Sequence, residues 1–251
     1  METELLLLLF LAGLAAGFVD AIAGGGGLLT VPALLWAGLD PQTALGTNKM
    51  QSVFGTAMAV RRYAVAGLVG WREVRLAVLA TFVAAALGTW AVTLVDNAVL
   101  ARVVPWLLLG LAVYLLASPR LGIGTTKERL GPAVFALLAG GVLGFYDGFF
   151  GPGTGAFWTL ACVALRGMDL TRSIAYTKVA NVTSNAASLA VFLYAGLVRF
   201  DIAGAMIAGQ LLGGRLGAGM AIRHGAPFIR VVFVGVVIAM TAKLLWDQFA
   251  G

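Results

Sequence analysis

One pattern occurs twice in this chain. "GFVDAIAGGGG" from Gly17 is answered by "GFYDGFFGPGT" from Gly144. Gly17, Phe18, Asp20, Gly24 and Gly26 match Gly144, Phe145, Asp147, Gly151 and Gly153 at a spacing of 127. Further on, "GLDPQTALGTNK" matches "GMDLTRSIAYTK" at a spacing of 129, pairing Gly38 with Gly167, Asp40 with Asp169 and Lys49 with Lys178. That spacing continues through "AGLV" at Ala66 and Ala195 and "LG" at Leu87 and Leu216. A single two-residue shift followed by sustained agreement is the signature of an internal repeat. The chain divides into a first repeat at 1–117, a linker "SPRLGIGTTKERL" at 118–130, and a second repeat at 131–251.

Each repeat has the same elements. A long apolar stretch broken by glycine comes first, at 5–38 and 131–165. A helix with a polar first half follows, at 43–66 and 171–196. Two apolar helices close the unit, at 73–95 with 98–117 and at 202–221 with 227–249. Of 251 residues, 61% are hydrophobic and 11% charged, against about 25% charged in a soluble domain. Recurring apolar runs of spanning length make this an all-α polytopic membrane protein. The net charge of +6 reads as loop anchors that set topology, with the lipid bilayer as partner and no nucleic acid. Acidic Glu2 and Glu4 are wrong for a signal peptide. No GxxxxGK[ST] motif, metal-ligand cluster or nucleophile–base arrangement is present, so neither an enzyme nor a cofactor nor a metal site is expected. The single cysteine, Cys162, allows no internal disulfide, and the single histidine, His224, reads as a loop residue.

Basic residues in the loops bear on how the repeats face. If each broken stretch crosses once, the repeats are parallel and the inside loops hold nine basic residues against five outside. If each is a re-entrant hairpin followed by three transmembrane helices, the repeats are inverted. Eleven then lie inside, leaving only Arg102, Arg199 and Lys243 outside. The count favours inversion, a common transporter plan. Against it, Leu5 to Ile22 would rise about 27 Å as a helix and Leu28 to Ala37 only about 15 Å, so the first limb nearly spans by itself.

A helix that stops inside a membrane exposes backbone N–H groups that must be buried in protein or turned to water or a ligand. Glycines let a ligand approach such a break. Helices starting after Gly27 and Gly155 would aim partial positive charge at an oxyanion. Gly25, Gly26, Gly27, Gly153, Thr154 and Gly155 are therefore candidate binding residues, with close helix packing as the other reading. Lys49 and Lys178 lie inside their helices, past the candidate caps or near-caps Thr43 and Thr171, in polar clusters that include Asn48, Gln51 and Asn181. An intramembrane lysine is a functional candidate, with snorkelling as the alternative. Lys178, Asn181, Asn185 and Ser188 fall on one face, which either lines a cavity or joins helices. Asp20 and Asp147 either pair with a neighbouring lysine, take up a proton to couple transport, or bond the frayed backbone. Arg215 is a further candidate for charge pairing or snorkelling. Its counterpart in the first repeat is Ala86.

The segments "DAIAGGGGLLTVPALL", "GLDPQTALGTNK" and "YDGFFGPGTG" together resemble the sulfite exporter TauE/SafE family of bacterial membrane proteins over nearly the whole chain. The resemblance implies a multi-pass protein of the bacterial inner membrane that moves small sulfur-containing anions such as sulfite or organosulfonates. It leaves substrate and direction open. The repeats differ at Gly27/Thr154 and Asn48/Thr177, so they need not bind alike. The competing reading is a transporter of a cation or neutral solute built on Asp20 and Asp147, against which the paired lysines argue. A homodimer is compatible with either.

Overall fold

A computed structural model describes residues 3–117 and 127–249. Of the 118–130 linker, 118–126 lie outside the described residues, as does Glu2. The described elements are all helices: α1 (Thr3–Ala23), α2 (Gly26–Trp36), α3 (Pro41–Val65), α4 (Trp71–Thr93), α5 (Asn97–Ala117), α6 (Pro132–Phe149), α7 (Thr154–Arg166), α8 (Leu170–Tyr194) and α9 (Phe200–Phe249). Three of them, at Glu4–Ala23, Trp71–Thr93 and Pro132–Phe149, are long and apolar enough to cross a membrane. The 25-residue helices α3 and α8 rise about 37 Å each, and the polar residues of their middle turns are mostly buried. Lys49, Lys178, Asn48, Asn181 and Asp147 are buried, while Leu7, Leu79, Phe82, Trp90 and Leu137 are exposed. Polar groups inside and apolar groups outside suit a bilayer as solvent.

Helix boundaries follow local chemistry. Asp40 and Asp169 cap α3 and α8, accepting from the N–H groups of Thr43 (3.1 Å) and Arg172 (3.0 Å). Thr43 and Thr171, expected as caps or near-caps, lie within the first turn. An aspartate's short side chain bends back onto the N3 amide, and in α3 Pro41 supplies the fixed φ of a first helical residue. The orphan carbonyls at the end of α4 are met by Gln42, whose Nε2 donates to Val92 and Val95 (3.1 and 2.7 Å). His224 is helical rather than in a loop. It sits in α9 just before Gly225, whose φ of 65° and ψ of −157° interrupt that helix.

The broken stretches return to the end they leave from. Leu9 near the start of α1, Leu34 near the end of α2, Ala44 in α3 and Ile202 in α9 share one apolar cluster. At the opposite end, Val74 of α4, Phe135 of α6, Cys162 of α7 and Tyr176 of α8 share another. There, Arg129 and Leu130 donate their N–H groups to the Leu165 carbonyl (2.9 and 3.0 Å), tying the approach to α6 onto α7. Helix α1 packs along α9, and α6 along α4. In the first contact, Gly209, Gly213 and Gly217 lie against the Phe10, Leu14 and Phe18 carbonyls. In the second, Gly88 and Gly148 lie against Phe145 and Ala85. Small residues let helix backbones approach closely where lipid provides no hydrophobic drive.

This contact gives a direct test. A methyl group at Gly213 would meet the Leu14 carbonyl, whereas one at Gly204 in the same helix meets nothing within 4 Å. Gly213→Ala should destabilise the protein by roughly 1–3 kcal/mol by overpacking. Gly204→Ala should leave stability level or raise it by up to about 1 kcal/mol through helix propensity. Thermal unfolding in detergent compares the two, and equal midpoints would disprove the close α1–α9 contact.

Candidate functional site

The two glycine breaks meet at the centre of the helix bundle. Gly24 (φ 77°) separates α1 from α2, and Gly151 (φ 95°) and Gly153 (φ 78°) separate α6 from α7. Only glycine adopts such angles freely. A Cβ on Gly24 would stand 2.5 Å from the backbone of Gly155, so the breaks touch main chain to main chain. The helices after the breaks begin at Gly26 and Thr154, two residues before the expected starts. Their N-termini face inward from opposite halves of the chain.

Around this contact lies a polar cavity of about 30 Å³, lined by Asp20, Gly24, Gly27, Asn48, Lys49, Ser52, Asp147, Gly151, Gly153, Gly155, Asn181 and Asn185. That is room for roughly two water molecules. Lys49 Nζ donates to both Oδ1 and the backbone carbonyl of Asp147, at 2.6 Å each. The other Asp147 oxygen, Oδ2, accepts from the Ser184 hydroxyl. Lys178 Nζ donates to Asp20 Oδ2 at 3.0 Å, and the Gly26 N–H donates to Asp20 Oδ1 at 3.3 Å. Each lysine thus bonds the aspartate at the break of the other half. Both lysine side chains are 1% exposed, which rules out snorkelling. Asn48 accepts from Thr30 and from Gln51 Nε2, and the buried Asn181 Oδ1 has no partner.

The expected site residues separate into two groups. Gly27, Asn48, Lys49, Gly153, Gly155 and Asn181 line the cavity with Asp20 and Asp147. Gly25, Gly26, Gln51, Thr154 and Lys178 are buried around it without lining it. A side chain on Gly26 would strike Asp20 Cβ at 2.7 Å, so that glycine accommodates the aspartate. Arg215 is exposed and outside the cavity. Its guanidinium is on a face with Leu212 and Leu216, both exposed. Ser52 and Ser184 were not anticipated. Ser52 matches Asn181 at the repeat spacing of 129, and that match was the available signal. Among the described residues, no group of three or more His, Cys, Asp or Glu is placed to hold a metal.

Comparison with known proteins bears on what such a site serves. Residues 9–244 match the family model described as "Sulfite exporter TauE/SafE". A "Probable membrane transporter protein" of Haemophilus influenzae is 44% identical over 98% of this chain and 96% of its own length. The "Probable membrane transporter protein YfcA" of Escherichia coli K12 is 41% identical over 99% of this chain and 93% of its own. A "Probable membrane transporter protein ORF9" of Sinorhizobium is 41% identical over 97% and 94%. No solved structure matches. With that family match over nearly its whole length and apolar spanning helices around a polar centre, the chain is a multi-pass membrane protein that belongs to the sulfite exporter TauE/SafE family of transporters.

Proposed function

We propose that this protein is a secondary transporter of small sulfur-containing oxyanions, sulfite or organosulfonates, in the bacterial inner membrane. One observation carries the reading. Buried Lys49 and two inward-facing helix N-termini converge on one polar cavity, and buried Lys178 stands behind it, bonded to the cavity-lining Asp20, all of them groups that attract an anion. A cation would have to displace an ammonium from Asp20 or Asp147, since both carboxylates are already bonded by lysine. In the proposed site, the anion lies among Lys49, Lys178, Asn48, Asn181 and the amides that open α2 and α7.

The same proposal includes inverted repeats. Three features support it: the shared end of α1 and α2, the shared opposite end of α6 and α7, and the reciprocal Lys–Asp pairs. On this plan α1–α2 and α6–α7 are re-entrant hairpins entering from opposite faces. Reporter fusions at the C-terminus and at Gly124 should then give opposite compartments, and one shared compartment would rule the arrangement out.

Binding to the purified protein tests the chemistry, with sulfite, sulfate, sulfoacetate, taurine and sodium as the panel. Saturable binding should be confined to the anions, and sodium binding alone would favour the cation reading. Lys178→Met should weaken anion binding by roughly ten- to a hundred-fold, the equivalent of about 1.5–3 kcal/mol for a charge-assisted hydrogen bond. Lys49→Met strands Asp147, at roughly 3–5 kcal/mol for breaking a buried pair. The fair comparison there is Lys49→Met with Asp147→Asn, which should fold and bind weakly. Affinity within about two-fold of wild type in both variants would remove the lysines from the site.

A further inference from the structure

The two Lys–Asp pairs are not equivalent. Asp147 is held by two hydrogen bonds from Lys49 and one from Ser184, and its side chain is 5% exposed. Asp20 is held by one bond from Lys178 and a long one from the Gly26 N–H, and its side chain is 17% exposed. The difference is written in the sequence. At the repeat spacing of 129 the position matching Ser184 is Gly55, which has no hydroxyl to offer Asp20. Asp20 also lines the cavity while Lys178 does not, so Lys178 reaches the cavity through this carboxylate.

Asp20 therefore already occupies two of the groups that would attract a substrate anion, the Lys178 ammonium and the first amide of α2. It is an internal anion on the anion site. The charges close the argument. Lys49, Lys178, Asp20 and Asp147 sum to zero, and a monovalent anion entering beside them leaves one uncompensated negative charge in a buried site, which is costly. Resting on the anion-transporter reading above, we infer that Asp20 is the proton carrier of this protein. The anion replaces the Asp20 carboxylate on Lys178, and the displaced carboxylate takes up one proton from the bulk solution together with the anion. The sum is again zero. Release of the anion returns the proton, and Asp20 closes back onto Lys178. The charged and titratable groups around Asp20 are Lys178 on α8, and Lys49 and Tyr63 on α3. Tyr63 donates to the Ala21 carbonyl at 3.0 Å, and Asp147 of α6 faces the same cavity. Asp147 keeps its bonds to Lys49 and Ser184 throughout.

Calorimetry of ethanesulfonate binding decides this, because a sulfonate keeps one fixed charge near neutral pH. Titrations in buffers of different ionisation heat count the protons taken up per anion. Wild type should take up about one, and its Kd should rise about tenfold per pH unit above neutrality. Asp20→Asn should take up none, bind more tightly and show no pH dependence. Asp20→Glu should restore uptake. Anion binding by wild type without proton uptake overturns the inference whether or not the variants fold. Uptake that persists in Asp20→Asn overturns the assignment to Asp20. If wild type binds none of the panel anions, the transporter reading beneath it fails, and this inference with it.

Discussion

Two ammonium groups inside an apolar protein constrain everything else in this fold. Placing a lysine at the centre of a spanning helix costs about 2.5–3.5 kcal/mol on insertion scales, and Lys49 and Lys178 are almost wholly buried. The remedy is a carboxylate at hydrogen-bonding distance, and in both cases it comes from the far half of the chain: Asp147 for Lys49 and Asp20 for Lys178. Neither half can bury its own lysine without the other. The ion pairs therefore do more than stabilise. They hold each break against its helix, because separating either pair would leave a buried charge unpaired.

The glycines follow from that requirement. To bring Asp20 and Asp147 to lysines on opposing helices, the two breaks must come together, and Gly24 and Gly155 touch through their backbones. Any side chain there would hold the pairs apart. The same exchange recurs in the packing of the longer helices. Helix α1 of the first half lies on α9 of the second, and α6 of the second on α4 of the first, each along a line of glycines. Close approach, with its dispersion contacts and exclusion of lipid, replaces the hydrophobic drive that a water-soluble core would have.

Much of this was legible in the sequence, because its signals are local. Apolar runs, polar helical faces and glycine punctuation located the helices, and the breaks fell within two residues of their observed positions. Thr43 and Thr171 marked the neighbourhood of the caps, and "DP" at Asp40 singles out the cap itself once Pro41 is recognised as a first helical residue. Pairing was not legible. Asp20 and Lys178 are 158 residues apart and Asp147 and Lys49 are 98 apart, and charge alone does not say which carboxylate meets which ammonium. Ser184 was missed for a similar reason. A serine in a spanning helix usually bonds back to its own backbone, as Ser184 also does to Asn181, and only the fold reveals that Asp147 lies beside it.

The size of the cavity bears on how such a site would work. At about 30 Å³ it has room for roughly two waters, and both carboxylates line it beside Lys49. On the proposed reading an anion enters by exchange, taking a lysine that a carboxylate gives up. Its affinity is then a difference between two charge-assisted contacts of similar strength, and is weaker than the lysines alone would provide. That suits transport, where a ligand must bind well enough to enter and loosely enough to leave. It also explains why the carboxylates belong in the site. Two lysines without them would be an uncompensated positive pair whenever the substrate was absent, a state the bilayer penalises far more than the loss of affinity.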